Sequence, residues 1–236
     1  MEAIVLVGGL GSRLGSLTRN TPKPLLQVRD KPFLHYLLND LKHKKIEKVI
    51  LATGFLSSKI ENYFKTNEEN FPIIEFSIEK EPLGTGGAIL KALKKCIQDN
   101  VFIFNGDSYI DANLRELHNI HNSKNADISL VSSYLKAAKR YGTIEFAENN
   151  KIVKFIEKGS SSGYINAGIY IARSKNLIEK LNKIESNTFS FEKEILEKQV
   201  QDLKIFHYPV ESFFLDIGIP EDFKIAQESL FMKSIY

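Results

Sequence analysis

The sequence predicts an α/β fold, a mainly parallel mixed central sheet with helices on both faces. Three observations point there. Short β-branched and aromatic runs alternate with helix-period segments through the first half of the chain, which is the pattern of βαβ units. Three of the four strands expected in that half run directly into glycine or polar turns, at Gly8, Thr53-Gly54 and Asn105-Gly106-Asp107. Such ends line up along one sheet edge, where open α/β sheets bind ligands. No proline-, glycine- or serine-rich linker divides the 236 residues, a length that one large domain fills around its own core.

Taken in order, the first strand is expected over residues 3–7, an unbroken apolar run that meets Gly8-Gly9. A helix follows over 32–42, opened by Pro32, whose missing N–H is harmless in a first helical turn. Strand 48–52, helix 57–64, strand 73–78 and helix 86–97 continue the alternation. Residues 101–104, Val-Phe-Ile-Phe, read as a strand buried on both faces. Helix 114–122 closes the first half. Then the texture changes. Residues 128–133, 141–146, 152–157 and 164–172 are strand-like, with a hairpin turn at Ala147-Glu148-Asn149-Asn150. The loop Gly159-Ser160-Ser161-Ser162-Gly163 has a flexible composition. Helices are expected at 190–199 and 220–231, around a strand at 203–207.

Composition excludes several classes. The apolar fraction is 43% and the charged fraction 26%, ordinary for a soluble globular protein. A net charge of +3, with cations scattered among acids, leaves no stripe for nucleic acid. Lys44-Lys45 and Lys94-Lys95 read as solvated helix ends. The single cysteine, Cys96, shares an amphipathic pattern with Ile89, Leu93 and Ile97, as a small buried hydrophobe would. It allows no disulfide within the chain, which fits a reducing compartment. No signal peptide precedes the first strand and no apolar run is long enough for a bilayer, so a cytoplasmic protein without a membrane partner is expected. His118 and His121, three apart on one helix, read as a surface pair and not as a zinc site, because no further ligand stands near.

The chemistry begins in the first loop, Gly8-Gly9-Leu10-Gly11-Ser12-Arg13-Leu14. Glycines let the main chain approach a phosphate, and successive N–H groups make an anion-binding concavity. Arg13 and Lys23, the latter in Pro22-Lys23-Pro24-Leu25, add fixed positive charge. The spacing is neither a Walker loop, since no Gly-Lys-Ser/Thr follows, nor the dinucleotide fingerprint, since Leu14 stands where a glycine or alanine is needed. A second loop, Glu79-Lys80-Glu81-Pro82-Leu83-Gly84-Thr85-Gly86-Gly87-Ala88, follows a strand and opens a helix. Read plainly, it is a helix start with Thr85 as its N-cap. Asp107 lies just past the buried strand and Asp216 just past the apolar run 213–215. Each is either a turn residue or an oxygen ligand suited to Mg²⁺ beside phosphates.

GGLGSRL followed by PKPL, and EPLGTGGA after them, resemble the signatures of the sugar-1-phosphate nucleotidyltransferases. The resemblance runs nearly the full chain. It implies a Rossmann-like, glycosyltransferase-A-like nucleotidyltransferase fold, with residues 1 to about 125 as the nucleotide-binding half and the rest as the sugar-binding half. The implied reaction joins a nucleoside triphosphate to a sugar 1-phosphate, with Mg²⁺ as cofactor. Arg13, Lys23, Asp107 and Asp216 are the implied catalytic set, and Asp107 and Asp216 hold the metal. Leu6, Gly8, Gly9, Gly11, Ser12, Glu79, Pro82, Gly84, Thr85 and Gly106 are the implied nucleotide contacts. On the sugar side Gly142, in Tyr141-Gly142, the pair Glu157-Lys158, and Asn166 match family positions. The segment around Asp216 reads DIGIPEDF where the family's usual form is DIGTPEDY; neither change touches the carboxylate.

Members that use uridine or thymidine nucleotides usually carry glutamine where this chain has Glu79. A carboxylate accepts two hydrogen bonds, and guanine offers a ring N–H beside an amino group. Uracil and thymine offer one N–H between two acceptors, so an acid there leaves an acceptor unmatched at a cost of about 1–3 kcal/mol. Glu79 therefore favours GTP, unless it is a solvated strand-end acid. IEKEPLGTGGAI and SFEKEIL are most similar to members acting on D-glycero-α-D-manno-heptose 1-phosphate. Mannose 1-phosphate, or UTP, CTP or dTTP as the nucleotide, stays open, as does a non-catalytic nucleotide-sugar sensor on the same fold. A homo-oligomer is neither implied nor excluded.

Overall fold

The computed structural model describes residues 1–66, 71–157 and 162–228. Its centre is one nine-stranded mixed sheet. In chain order the elements are β1 (Glu2–Leu6), the two-residue strands β2 (Gln27–Val28) and β3 (Lys31–Pro32), α1 (Phe33–His43), β4 (Lys48–Thr53), α2 (Ser57–Thr66), β5 (Ile73–Ile78), α3 (Gly84–Leu93), β6 (Asn100–Asn105), β7 (Ser108–Tyr109), α4 (Leu114–Ser123), β8 (Ile128–Leu135), β9 (Thr143–Phe146), β10 (Ile152–Ile156), β11 (Gly163–Arg173), α5 (Ser174–Asn182), β12 (Ile205–Pro209), β13 (Leu215–Asp216) and α6 (Pro220–Glu228). β1 lies between β4 and β6 and is parallel to both, and β4 is parallel to β5. β11 joins the halves, antiparallel to β6, β8 and β9, while β12 runs parallel to β8 and β10 antiparallel to β9. The fold is thus an α/β domain on one mixed sheet, with β5, β4, β1 and β6 parallel to one another and a further parallel pair, β8 and β12, beyond β11.

Alternation of side chains along the central strands makes two cores. Ala3, Val5, Phe102 and Phe104 face α1, with Phe33, Leu34, Leu37 and Leu41. Ile4, Ile50, Val101 and Ile103 face α3 and α5, with Ile89, Leu93, Leu177 and Leu181. The hydrophobic run in β6 is buried on both faces, as its composition requires.

Several elements differ from the sequence expectation. α3 ends at Leu93, so Ile97 lies outside it and is 83% exposed. Beyond the helix the Glu2 carboxylate accepts from the N–H groups of Ile97 and Gln98 and holds the chain in a turn. Cys96 is half-buried, and burial together with the Glu2 charge pushes its thiol up to about 12. The helix expected from 190 is a π-helical stretch, Glu192–Glu197. α5 was not expected at all. Pro32 ends β3 and caps α1 instead of opening it. His121 is fully buried and shares a hydrogen bond with Ser129, so it is no surface residue; burial lowers its imidazole to about 4. Lys44 is bridged to Asp40 and Asp111, not merely solvated. The 147–150 turn forms as expected, closed by Asn150 N–H on the Ala147 carbonyl. Most of the serine-rich loop, and residues 229–231 of the helix expected over 220–231, fall outside the described residues.

Phe102 is 1% exposed at the sheet centre. Phe102→Ala should destabilise the protein by about 3–5 kcal/mol, read as a lower urea midpoint at unchanged slope.

Candidate active site

The site is built where β1, β4 and β6 end. Beyond Leu6 the chain turns through Gly8 and Gly9 into tight 3₁₀ turns over Ser12–Thr18. Gly11 has φ +64, and a Cβ there would lie 2.9 Å from the Thr18 side chain and 3.2 Å from that of Lys23. The Thr18 hydroxyl donates back to the Gly11 carbonyl at 3.0 Å. Only glycine fits at this position, and the loop winds closely over Lys23. The short turn Lys23–Leu25, entered through Pro22, then buries Lys23 to 6% exposure.

Four charged residues meet there. The Lys23 ammonium donates to Asp107 Oδ2 at 2.5 Å and lies 3.9 Å from Asp216 Oδ1. β7 and β13 pair antiparallel, setting Asp216 opposite Ser108, and the Ile217 N–H donates to the Asp107 carbonyl at 2.9 Å. Asp216 Oδ1 also accepts from the Gly218 N–H at 2.7 Å. Burial, then the Asp107 charge, pushes the Asp216 carboxyl above its usual range, against the pull of Lys23, the Gly218 N–H and Arg13. Arg13 is exposed, and its guanidinium would lie 3.3 Å from a Cβ at Gly218. The expected catalytic set is therefore one cluster.

Beside it opens a cavity of about 560 Å³. Leu6, Gly8, Gly9, Glu79, Pro82, Gly84, Thr85 and Asp107, all expected nucleotide or metal residues, line it. Gly11, Ser12 and Gly106 do not. Gly106 instead packs beneath β1, where a Cβ would meet the Leu6 carbonyl at 2.6 Å. Glu79 is half-buried, with Oε2 accepting from the Leu83 N–H at 3.2 Å, and burial raises its carboxyl despite that bond and Lys91. A Cβ on Gly8 would stand 2.9 Å from Glu79 Oε1, so the two loops touch through a glycine. Thr85 is not an N-cap. It lies inside α3, and its hydroxyl donates to Glu192 Oε2 at 2.6 Å while accepting from the Phe191 N–H.

The sugar-side residues stand apart from this cavity. The Gly142 carbonyl accepts from the Asn166 N–H at 2.8 Å, and a Cβ on Gly142 would press on the Phe155 ring at 2.8 Å. The Asn166 carboxamide donates to Tyr170 and accepts from the Gly168 N–H. Glu157 is half-buried just past β10. Lys158 lies outside the described residues.

Sequence reasoning missed Leu10, Gly54, Phe55, Asn105 and Glu192, which also line the cavity. Thr53-Gly54 carried the same strand-end signal as Gly8 and marked the position. Glu192 lies in the SFEKEIL segment, which the sequence marked only by resemblance; its place at the cavity comes from a contact with Thr85, more than 100 residues away.

No group of three or more His, Cys, Asp or Glu side chains able to hold a metal occurs among the described residues. Asp107, which lines the cavity, and Asp216, held near it across Lys23, nevertheless fit Mg²⁺, which takes one or two protein carboxylates and completes its shell with phosphate and water. No helix among the described residues is long and apolar enough to cross a membrane.

Residues 2–231 match the family described as nucleotidyl transferase. The D-glycero-α-D-manno-heptose 1-phosphate guanylyltransferase of Aneurinibacillus thermoaerophilus is 43% identical over 231 residues, 98% of each chain. A protein of the same description from Campylobacter jejuni is 40% identical, covering 94% of this chain and 97% of its own. The crystal structure of HddC from Yersinia pseudotuberculosis complexed with GMP-PN superimposes with a TM-score of 0.81 at 31% identity, covering 96% of this chain and 98% of the other.

Two outcomes follow for the cluster. Lys23→Ala should lower turnover by about 10²-fold or more, measured as pyrophosphate release. Asp216 has its folded pKa raised, so the folded state binds more protons than the unfolded one in the window above the ordinary carboxylate value, and this group costs stability as pH rises through its folded pKa. Asp216→Asn should therefore abolish activity yet raise the melting temperature of the metal-free protein at pH 7, with a smaller gain at pH 4. A lowered melting temperature at pH 7 would contradict the assigned charge strain.

Proposed function

This chain belongs to the nucleotidyl transferase family, and we propose that it transfers the guanylyl group of GTP to a D-glycero-α-D-manno-heptose 1-phosphate. The products are a GDP-sugar, an activated glycosyl donor, and pyrophosphate. The observation that carries this reading is Lys23 held between Asp216 and Asp107, the latter lining a glycine-rich cavity. The guanylyl donor follows from Glu79 in that cavity, in keeping with the guanylyltransferase description of the relatives at 43% and 40% identity.

In this reading a phosphate oxygen of the sugar 1-phosphate attacks the α-phosphorus of GTP. The new P–O bond forms as the bond to the β-phosphate oxygen breaks, and pyrophosphate departs in line with the attack. The nucleophile is already anionic, so no general base is required. The barrier is positioning and repulsion between two polyanions, and fixed cations and backbone donors lower it. Arg13 stands over the exposed side of the cluster, suited to the β- and γ-phosphates. Lys23, already desolvated, serves the α-phosphate and the incoming phosphate. Mg²⁺ on Asp107 and Asp216 would neutralise charge on the α-phosphate. Glu157 and Asn166 serve the sugar hydroxyls, Lys158 the sugar phosphate, and the Gly142 backbone the sugar ring. The proposed setting is the cytoplasm, in keeping with one free cysteine.

Pyrophosphate release should be fastest with GTP when GTP, UTP, CTP, ATP and dTTP are crossed with heptose, mannose, glucose and N-acetylhexosamine 1-phosphates. Glu79→Gln should lower kcat/KM for GTP by about 10–100-fold, the worth of about 1–3 kcal/mol for a mismatched buried acceptor, and narrow the preference over UTP. An unchanged GTP preference in that variant would remove Glu79 as the base reader.

A further inference from the structure

Hydrogen bonds and one ring contact lead from Asn166 through Tyr170 and the Phe191-Glu192 segment to Thr85. The pairing of β11 with β8 shifts register between Asn166 and Tyr170, where Gly168 takes φ +78. Asn166 Oδ1 accepts from the Gly168 N–H at 3.1 Å, and Asn166 Nδ2 donates to Tyr170 Oη at 2.6 Å. Tyr170 is fully buried, its ring set edge-on against Phe191 at 5.3 Å and its hydroxyl directed to the Glu192 carboxylate. Glu192 Oε2 accepts from Thr85 Oγ1 at 2.6 Å and from Ser190 Oγ at 2.9 Å. Thr85 and Glu192 both line the nucleotide cavity.

Both ends of this run sit on rigid supports. The 82–86 loop is laced to the 188–191 segment by Gly86 N–H to the Phe189 carbonyl at 2.9 Å, Phe189 N–H to the Leu83 carbonyl at 3.0 Å, and Thr188 Oγ1 to the Pro82 carbonyl at 2.9 Å. The bulge at the other end lies against the Asp107 loop, where a Cβ on Gly168 would stand 2.7 Å from Asn105 Nδ2 and 2.8 Å from Ser108 Oγ. Buried polar groups need their partners, so a displaced member forces its neighbour to follow.

On the reading of the site as a guanylyltransferase, we propose that Tyr170 and Glu192 are positioning residues that couple occupancy of the nucleotide cavity to the sugar-phosphate side. A nucleotide seated against Thr85 fixes the Glu192 carboxylate. The Tyr170 hydroxyl is then held between Glu192 and Asn166, and the Asn166 carboxamide is set in one orientation for the sugar. Coupling of this kind is a ratio of affinities and is reciprocal between the two ligands.

The test is isothermal titration of heptose 1-phosphate into the full chain with Mg²⁺, with and without saturating guanosine 5′-(α,β-methylene)triphosphate. Tyr170→Phe removes only the hydroxyl, and Thr85→Val cuts the other end at constant shape. In the unmodified protein the analogue should tighten heptose 1-phosphate binding by about fivefold or more. In both variants that factor should fall at least about threefold, while in Tyr170→Phe the Kd of the nucleotide analogue alone stays within about threefold. Tyr134→Phe, at an exposed tyrosine outside the run, should keep the original factor. A factor near one in the unmodified protein, or a smaller drop in either variant, overturns the coupling while the guanylyltransferase reading stands on its pyrophosphate assay. No binding of either ligand and no pyrophosphate from the unmodified protein would remove both.

Discussion

The arrangement that the rest of the molecule serves is a lysine, 6% exposed, held between two carboxylates. Two acids brought this close repel, and burial makes the repulsion worse. The fold holds them together with backbone. The β7–β13 ribbon is two residues long on each side, yet it places Asp216 beside the Asp107 loop, and the Ile217 N–H closes on the Asp107 carbonyl. The tight winding at Gly11 and the Pro22 turn then deliver Lys23 from below. A buried ammonium with one acid on either side is a poor source of stability, because desolvation offsets much of the attraction. Its value lies in function. In the proposed reaction Lys23 and Asp216, with side chains 8% and 13% exposed, are largely stripped of water and fixed before a phosphate arrives.

One sheet supports two kinds of surface. Parallel pairing among β5, β4, β1 and β6 sends their carboxyl ends to the same edge, and the glycine loops collect there. Across β6 the pairing becomes antiparallel, and β11 carries the chain back past Asp107 with a bulge at Gly168. The bulge leaves the two side chains facing each other, with Asn166 Nδ2 donating to the buried Tyr170 hydroxyl at 2.6 Å.

What the sequence disclosed depended on whether the signal was local. The strands 73–78 and 101–104, the glycine loop and the acids at strand ends are each defined by neighbours a few residues away, and they appear where expected. Lys23 could be named as a phosphate cation, but its burial comes from contacts with residues 107 and 216. The short ribbons β2–β3 and β7–β13 are too brief to have a period. Thr85 shows the limit well. Its position before an apolar helix imitates an N-cap, but Glu192 captures its hydroxyl from a distant segment. His121 was misread because a polar residue at helical spacing looks exposed until its partner, Ser129 on β8, is known. The division of residues 1–125 and 126–236 into nucleotide and sugar halves rests on family resemblance, since the sheet itself runs through both.

The chemistry explains why polar strain is concentrated in so small a region. A reaction between two phosphates needs no proton removed from its nucleophile, so the protein has little use for a histidine at the site. The buried histidines, His35, His121 and His207, are indeed spent on side-chain partners, Tyr63, Ser129 and Ser132. What the reaction needs is cationic charge that does not have to reorganise. In the proposed mechanism Lys23 and Arg13 meet that need, beside a loop wound tightly enough to exclude any side chain at Gly11. Asp107 and Asp216 hold the lysine in place and present oxygen ligands. The four charges of the cluster sum to zero but are not evenly eased: burial and the Asp107 charge push the Asp216 carboxyl up against the pull of Lys23, the Gly218 N–H and Arg13, so Asp216 is the member that bears the strain.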